Sequence, residues 1–154
     1  MNPAVQASAE RLTEWLQAHG SAGTRASNEA IDQINRNLNI LLPDWLCQLW
    51  QDYPLSGATA TLHQSNLVES FPVYLYSGKD MIRECLENTP GSQILSEGFI
   101  CIGGDELGTG DQICLNVYEG ENPPVYSVCH ESLIKTVIAF QLSSFFFQLA
   151  EAAV

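Results

Sequence analysis

Basic residues are scarce in this sequence. Six Lys and Arg stand against eighteen Asp and Glu in 154 residues, a formal net charge of −12. A chain so short of positive charge repels phosphate, which argues against direct nucleic-acid binding. Long apolar runs are missing too, and none approaches the roughly 18 residues of a membrane span. Residues 1–10 carry neither the basic flank nor the apolar centre of a secretory signal, so the expected location is cytoplasmic. The sequence has no C-x-x-C pair and no G-x-S-x-G. What it does have is 45% apolar and 9% aromatic residues, too many for a disordered acidic chain and enough for one domain's core.

Periodicity places helices first. Val5, Leu12, Trp15 and Leu16 make a weak helical pattern over Ala4–His19, and Gly20–Gly23 breaks it. Residues 1–27 therefore read as an N-terminal helix and linker, and 28–154 as the main domain. Asn28 and Glu29 suit an N-cap and first turn, followed by an apolar stripe of Ile31, Ile34, Leu38 and Leu41. Pro43 suits the first position of the next helix, whose Trp45, Leu46, Leu49, Trp50 and Tyr53 share one face. Pro54 and Gly57 end it. That aromatic stripe reads as core packing.

Strands dominate the later half. Thr59–His63, Phe71–Tyr76, Gly98–Gly103, Gln112–Tyr118, Pro124–His130 and Thr136–Phe140 are rich in β-branched or aromatic residues, or alternate in polarity. A short helix over Lys79–Asn88 interrupts them, and Ser143 or Ser144 is expected to cap a closing helix through Ala150. Early helices, a late meander and a final helix predict a single α+β domain.

No catalytic constellation stands out. Gly103–Asp111 is glycine-rich and follows a strand, but a strand also follows it and it holds no lysine, so it is not a phosphate loop. Asp105, Glu106 and Asp111 lack the order of a calcium loop. A wide hairpin turn with glycines at positive φ is the better reading. The five cysteines, Cys47, Cys85, Cys101, Cys114 and Cys129, sit in apolar runs and read as reduced core thiols. Zinc on Cys101, Cys114, Cys129 and His130 would follow no standard spacing. No cofactor and no metal are expected, and His130 reads as a satisfied surface histidine.

Four segments in order carry a resemblance. Leu42-Pro43-x-x-Leu46-x-x-Leu49-Trp50-x-x-Tyr53 resembles the helix opening of the SUKH superfamily, the Smi/Knr-type proteins. Ile102-Gly103-x-x-x-x-Gly108-x-Gly110-Asp111-x-Ile113-Cys114-Leu115-x-Val117 resembles its strand–glycine turn–strand signature. Pro124-Val125-Tyr126-x-Val128-x-His130-Glu131 resembles a following strand, and Ala139 with Ser144-Phe145 resembles the start of its last helix, at a longer spacing. The resemblance covers about residues 28–150 and implies a curved, mostly antiparallel sheet backed by helices. It also implies non-catalytic protein binding. Many bacterial members are immunity proteins against toxins, frequently nucleases, while fungal members are regulatory interaction modules. The superfamily has no established catalytic residues to carry over.

With the charge of −12, the resemblance leads to the expectation of an immunity protein that neutralises a basic toxin domain. The alternative is a regulatory module with a host partner. Aromatic anchors with an acidic rim would form the contact. The candidates are Tyr74, Tyr76, Tyr118 and Tyr126, with Asp105, Glu106, Asp111, Glu119, Glu121 and Glu131. Neither a membrane nor a nucleic acid is an expected direct partner.

Overall fold

Asn2 opens the first helix by accepting hydrogen bonds from the Ala4 and Val5 N–H groups, with Pro3 in the first turn. The resulting α1 (Pro3–Ala18) has Val5, Ala9, Leu12 and Leu16 wholly buried, at spacings that keep them on one face. The structure is a computed structural model describing residues 1–62, 71–106 and 108–151. Among these, α1 is followed by α2 (Asn28–Leu38), α3 (Asp44–Asp52), β1 (Thr59–Leu62), β2 (Phe71–Leu75), α4 (Gly78–Leu86), α5 (Gly91–Ile94), β3 (Phe99–Asp105), β4 (Gln112–Asn116), β5 (Val125–Val128), β6 (Lys135–Ala139) and α6 (Leu142–Ala150).

The six strands pair antiparallel in sequence order and curl into a half-barrel, so the α+β expectation holds. Ile102, Leu115 and Leu75 face α3 and α6 across a gap of only about 20 Å³, room for a water and no ligand. Cys101 and Cys114 are paired across β3 and β4 and face the α4–α5 segment, where the Cys101 N–H donates to Cys85 Sγ at 3.3 Å. α1 packs against α6, and its apolar face joins the same core as the sheet.

Several boundaries differ from the sequence reading. Ser27, not Asn28, caps α2, its hydroxyl accepting from the Ala30 N–H at 3.1 Å. Asn28 instead accepts from Gln51 Nε2 at 2.6 Å. α2 stops at Leu38 because Asn39 turns left-handed (φ 50°), so Leu41 leaves the stripe and stands 84% exposed. Leu42 is buried in its place. Pro43 is the cap residue of α3, one step before its first turn. Neither Ser143 nor Ser144 caps α6. Gln141 occupies that position, and Asn122 from the β4–β5 turn supplies the side-chain bond, accepting from the Ser143 N–H at 2.9 Å.

The alternation expected along Gln112–Tyr118 is also incomplete. β4 ends at Asn116 and is buried on both faces, because helices cover both sides of the sheet there. His63 and Leu107, which fall in the expected first strand and the glycine turn, lie outside the described residues.

Candidate partner-binding surface

Antiparallel pairing gathers alternate turns at one end of a sheet. Gly104 faces Gln112 at the close of the β3–β4 turn, and Gln112 faces Val128 at the start of the β5–β6 turn. Asp105, Glu106, Asp111 and Glu131 therefore collect at that end. The β4–β5 turn lies at the opposite end with Tyr118, Glu119 and Glu121. Eight of the ten candidates thus fall into two separate groups, the Tyr76 hydroxyl reaches the first of them, and Tyr74 stands apart.

A groove of about 400 Å³ opens between the glycine turn and the end of α4. Glu84, Asp105 and Asp111 wall it, and Gln112, Gly104 and the Tyr76 hydroxyl line it more deeply. Among the described residues, no Lys or Arg lines it; Arg83 reaches Glu84 from outside, Nε to Oε1 at 3.5 Å. The Tyr76 hydroxyl donates to Gln112 Oε1 at 2.7 Å, and Gln112 Nε2 donates to the Gly110 carbonyl at 3.3 Å. Gly104 has to lack a side chain, because a Cβ would collide with the Tyr76 hydroxyl. Tyr76 is only 9% exposed, and burial pushes its hydroxyl pKa up. Its ring belongs to the core rather than to an anchoring surface.

At the rim, His130 Nδ1 lies 2.7 Å from Asp111 Oδ1, and the His130 backbone N–H donates to the same oxygen at 3.0 Å. The hydrogen bond to Asp111 raises the His130 pKa above its ordinary value. Partial burial works to raise the Asp111 pKa, but the His130 ring and N–H outweigh it and hold the carboxyl below its usual range. Gly110 permits this approach: it sits at φ 87°, and a Cβ there would meet His130 Cγ at 3.2 Å. Ile134, 64% exposed, stands in the β5–β6 turn at the same end.

The other group is smaller. The Tyr126 hydroxyl donates to both Glu119 oxygens at 3.0 and 3.1 Å, and its ring meets Phe99 edge-on. Tyr118 is 76% exposed. Tyr74 lies against α4, its hydroxyl donating to Asp80 Oδ2 at 2.7 Å.

The cysteine reading needs a correction. Cys85, Cys101 and Cys114 are buried free thiols, with Cys101 and Cys114 Sγ atoms 3.7 Å apart. Cys129 is instead half-buried at the sheet end, beside His130 and Asp111. The Cys101–Cys114–Cys129–His130 set does not gather; among the described residues the grouping is Asp111, Cys129 and His130. Glu84 and Gln112 have no place in the site read from sequence, and Cys129, weighed there with Cys101 and Cys114, lies with Asp111 instead. One signal was available: Gln112 is a polar residue on the same strand face as Cys114.

The class defined by these features is an α+β domain on a curled antiparallel sheet, with a polar groove at one sheet end. The model of the SMI1 / KNR4 family (SUKH-1) matches residues 25–148, and the chain belongs to that family. Members are generally non-catalytic. No curated protein matches the chain. Among the described residues, no helix is long and apolar enough to cross a membrane.

Proposed function

We propose that this chain is a cytoplasmic immunity protein that binds and neutralises a basic toxin domain, of the nuclease type, through the acidic end of its sheet. The observation that carries the reading is the groove walled by Glu84, Asp105 and Asp111, with no Lys or Arg among the described residues that line it. A nuclease must expose cationic side chains to hold phosphates. A carboxylate-walled groove accepts the same guanidinium or ammonium groups, with charge-assisted hydrogen bonds. Glu106 and Glu131 extend the negative rim, and Ile134 adds an apolar contact within it. Family membership supports a role in protein binding.

The test is co-expression with any toxin domain encoded beside this gene. Cells should survive, and the two proteins should purify as a complex. Glu84→Lys with Asp105→Lys should weaken that complex at least about tenfold, since like charges then face each other. Glu119→Lys with Glu121→Lys, at the opposite end, should leave it intact. Absence of both rescue and complex would overturn the proposal, and recovery of a housekeeping assembly would favour the regulatory role.

A further inference from the structure

The pairing of Gln112 with Val128 fixes what lies just beyond it. One residue further out, Asp111 precedes β4 and Cys129 follows β5, so the backbone register alone brings these two side chains to the same sheet end. The β5–β6 turn then closes tightly. The Cys129 N–H donates to the Ile134 carbonyl and the Leu133 N–H to the Cys129 carbonyl, both at 3.0 Å. That closure folds His130 back onto Asp111. One carboxylate oxygen, one imidazole nitrogen and one thiol sulfur consequently lie within 4.8 Å of one another, each on a half-buried residue.

We propose that Asp111, Cys129 and His130 form a binding site for a divalent ion of the zinc class, with water in the fourth position. Tetrahedral zinc, with bonds of about 2.0–2.3 Å, sets its ligand atoms about 3.3–3.8 Å apart. For Nδ1 to ligate the ion, it gives up its 2.7 Å hydrogen bond to Asp111 Oδ1, which keeps the His130 backbone N–H. The described hydrogen bonds to Asp111 both use Oδ1, which leaves Oδ2 for the ion. Ligation displaces the thiol proton, because the thiolate is the form that binds the ion.

The donor set selects the metal. Sulfur and imidazole suit zinc or cobalt, whereas calcium and magnesium need oxygen ligands. The surrounding acidic surface favours a dication of either kind, so ligand softness makes the distinction. This inference stands apart from the partner reading, because an ion can bind whether or not the groove holds a protein.

The experiment uses the full chain, reduced with a phosphine and stripped of metal. Cobalt(II) should produce a thiolate-to-metal charge-transfer band together with the intense visible bands of tetrahedral cobalt, and zinc should erase both. Cys129→Ser, nearly isosteric, should remove the charge-transfer band and weaken zinc binding about 100-fold or more. His130→Gln should weaken it as well. Cys47→Ser, at the other half-buried cysteine, should change nothing, and circular dichroism verifies that each variant is folded. The proposal is overturned if the folded wild-type chain gives no band, if the band survives Cys129→Ser, or if calcium displaces cobalt.

Discussion

A single carboxylate, Asp80, ties three parts of the chain together. It accepts hydrogen bonds from the Tyr74 hydroxyl on β2 (2.7 Å), the Ser77 hydroxyl at the α4 cap (3.0 Å) and the Arg83 guanidinium one turn on (2.9 Å). Burial works to raise its pKa, but these donors outweigh it and hold the carboxyl below its ordinary value. A carboxyl depressed in the folded state stabilises the protein above its unfolded pKa, near 4, and that contribution fades as pH falls through the folded value. Asp80→Asn should therefore cost about 1–2 kcal/mol at neutral pH. The difference from wild type should shrink in strongly acidic buffer. Urea denaturation at both pH values measures this, and an undiminished difference in acid would mean that the ionised form is not the source. Tyr74 and Tyr76 make the complementary point about legibility. Both read from sequence as aromatic strand residues suited to an interface, yet both hydroxyls are engaged by partners inside the protein, Asp80 and Gln112. Nothing local to Phe71–Tyr76 encodes those distant partners.

The elements were legible where a local period defines them. The α3 stripe, the glycine turn and the strand meander follow from spacing alone, since a buried face repeats every 3.6 or 2 residues. Helix ends were less legible because their caps come from elsewhere in the chain. Asn122 serves α6 from the β4–β5 turn, and Asn35 accepts from the Leu42 N–H beyond its own helix. The standing of α1 was also hidden. Its pattern reads as weak because Ser8 and Ala9 are buried beside Val5, Leu12 and Leu16, and small residues carry little hydrophobic signal. Their size is what lets α1 approach α6 closely. Residues 1–24 precede the family match, but the core runs through α1 without a break. Leu12→Ala should accordingly cost about 2–5 kcal/mol of global stability, through lost burial and a cavity. It should lower the midpoint of a single cooperative transition. A separate early transition assigned to α1 would show that the helix is only an appendage.

At the scale of the whole molecule, the acid excess is divided rather than pooled. Asp105, Glu106, Asp111 and Glu131 occupy one end of the sheet, Glu119 and Glu121 the other, and Glu10, Glu14, Asp32 and Asp44 lie on the helices. The sequence supplies the charge of −12, while the strand register decides which carboxylates share a surface. That is why the net charge was readable from the sequence and the grouping of the carboxylates was not. The two quantities lead to different measurements. The summed field of −12 acts at a distance and steers encounter, so it governs the association rate. On the proposed reading, the groove carboxylates act at contact and govern dissociation. Association with the proposed basic toxin domain should therefore slow about tenfold or more between low and physiological salt, as the Debye length contracts to about 8 Å. Dissociation should change far less over the same range. Stopped-flow mixing across a salt series separates the two rates. Glu119→Lys with Glu121→Lys should flatten the salt slope of association while sparing dissociation, whereas Glu84→Lys with Asp105→Lys should alter both. An association rate indifferent to salt would remove charge steering and leave apolar contact at Ile134 or Tyr118 as the basis of recognition.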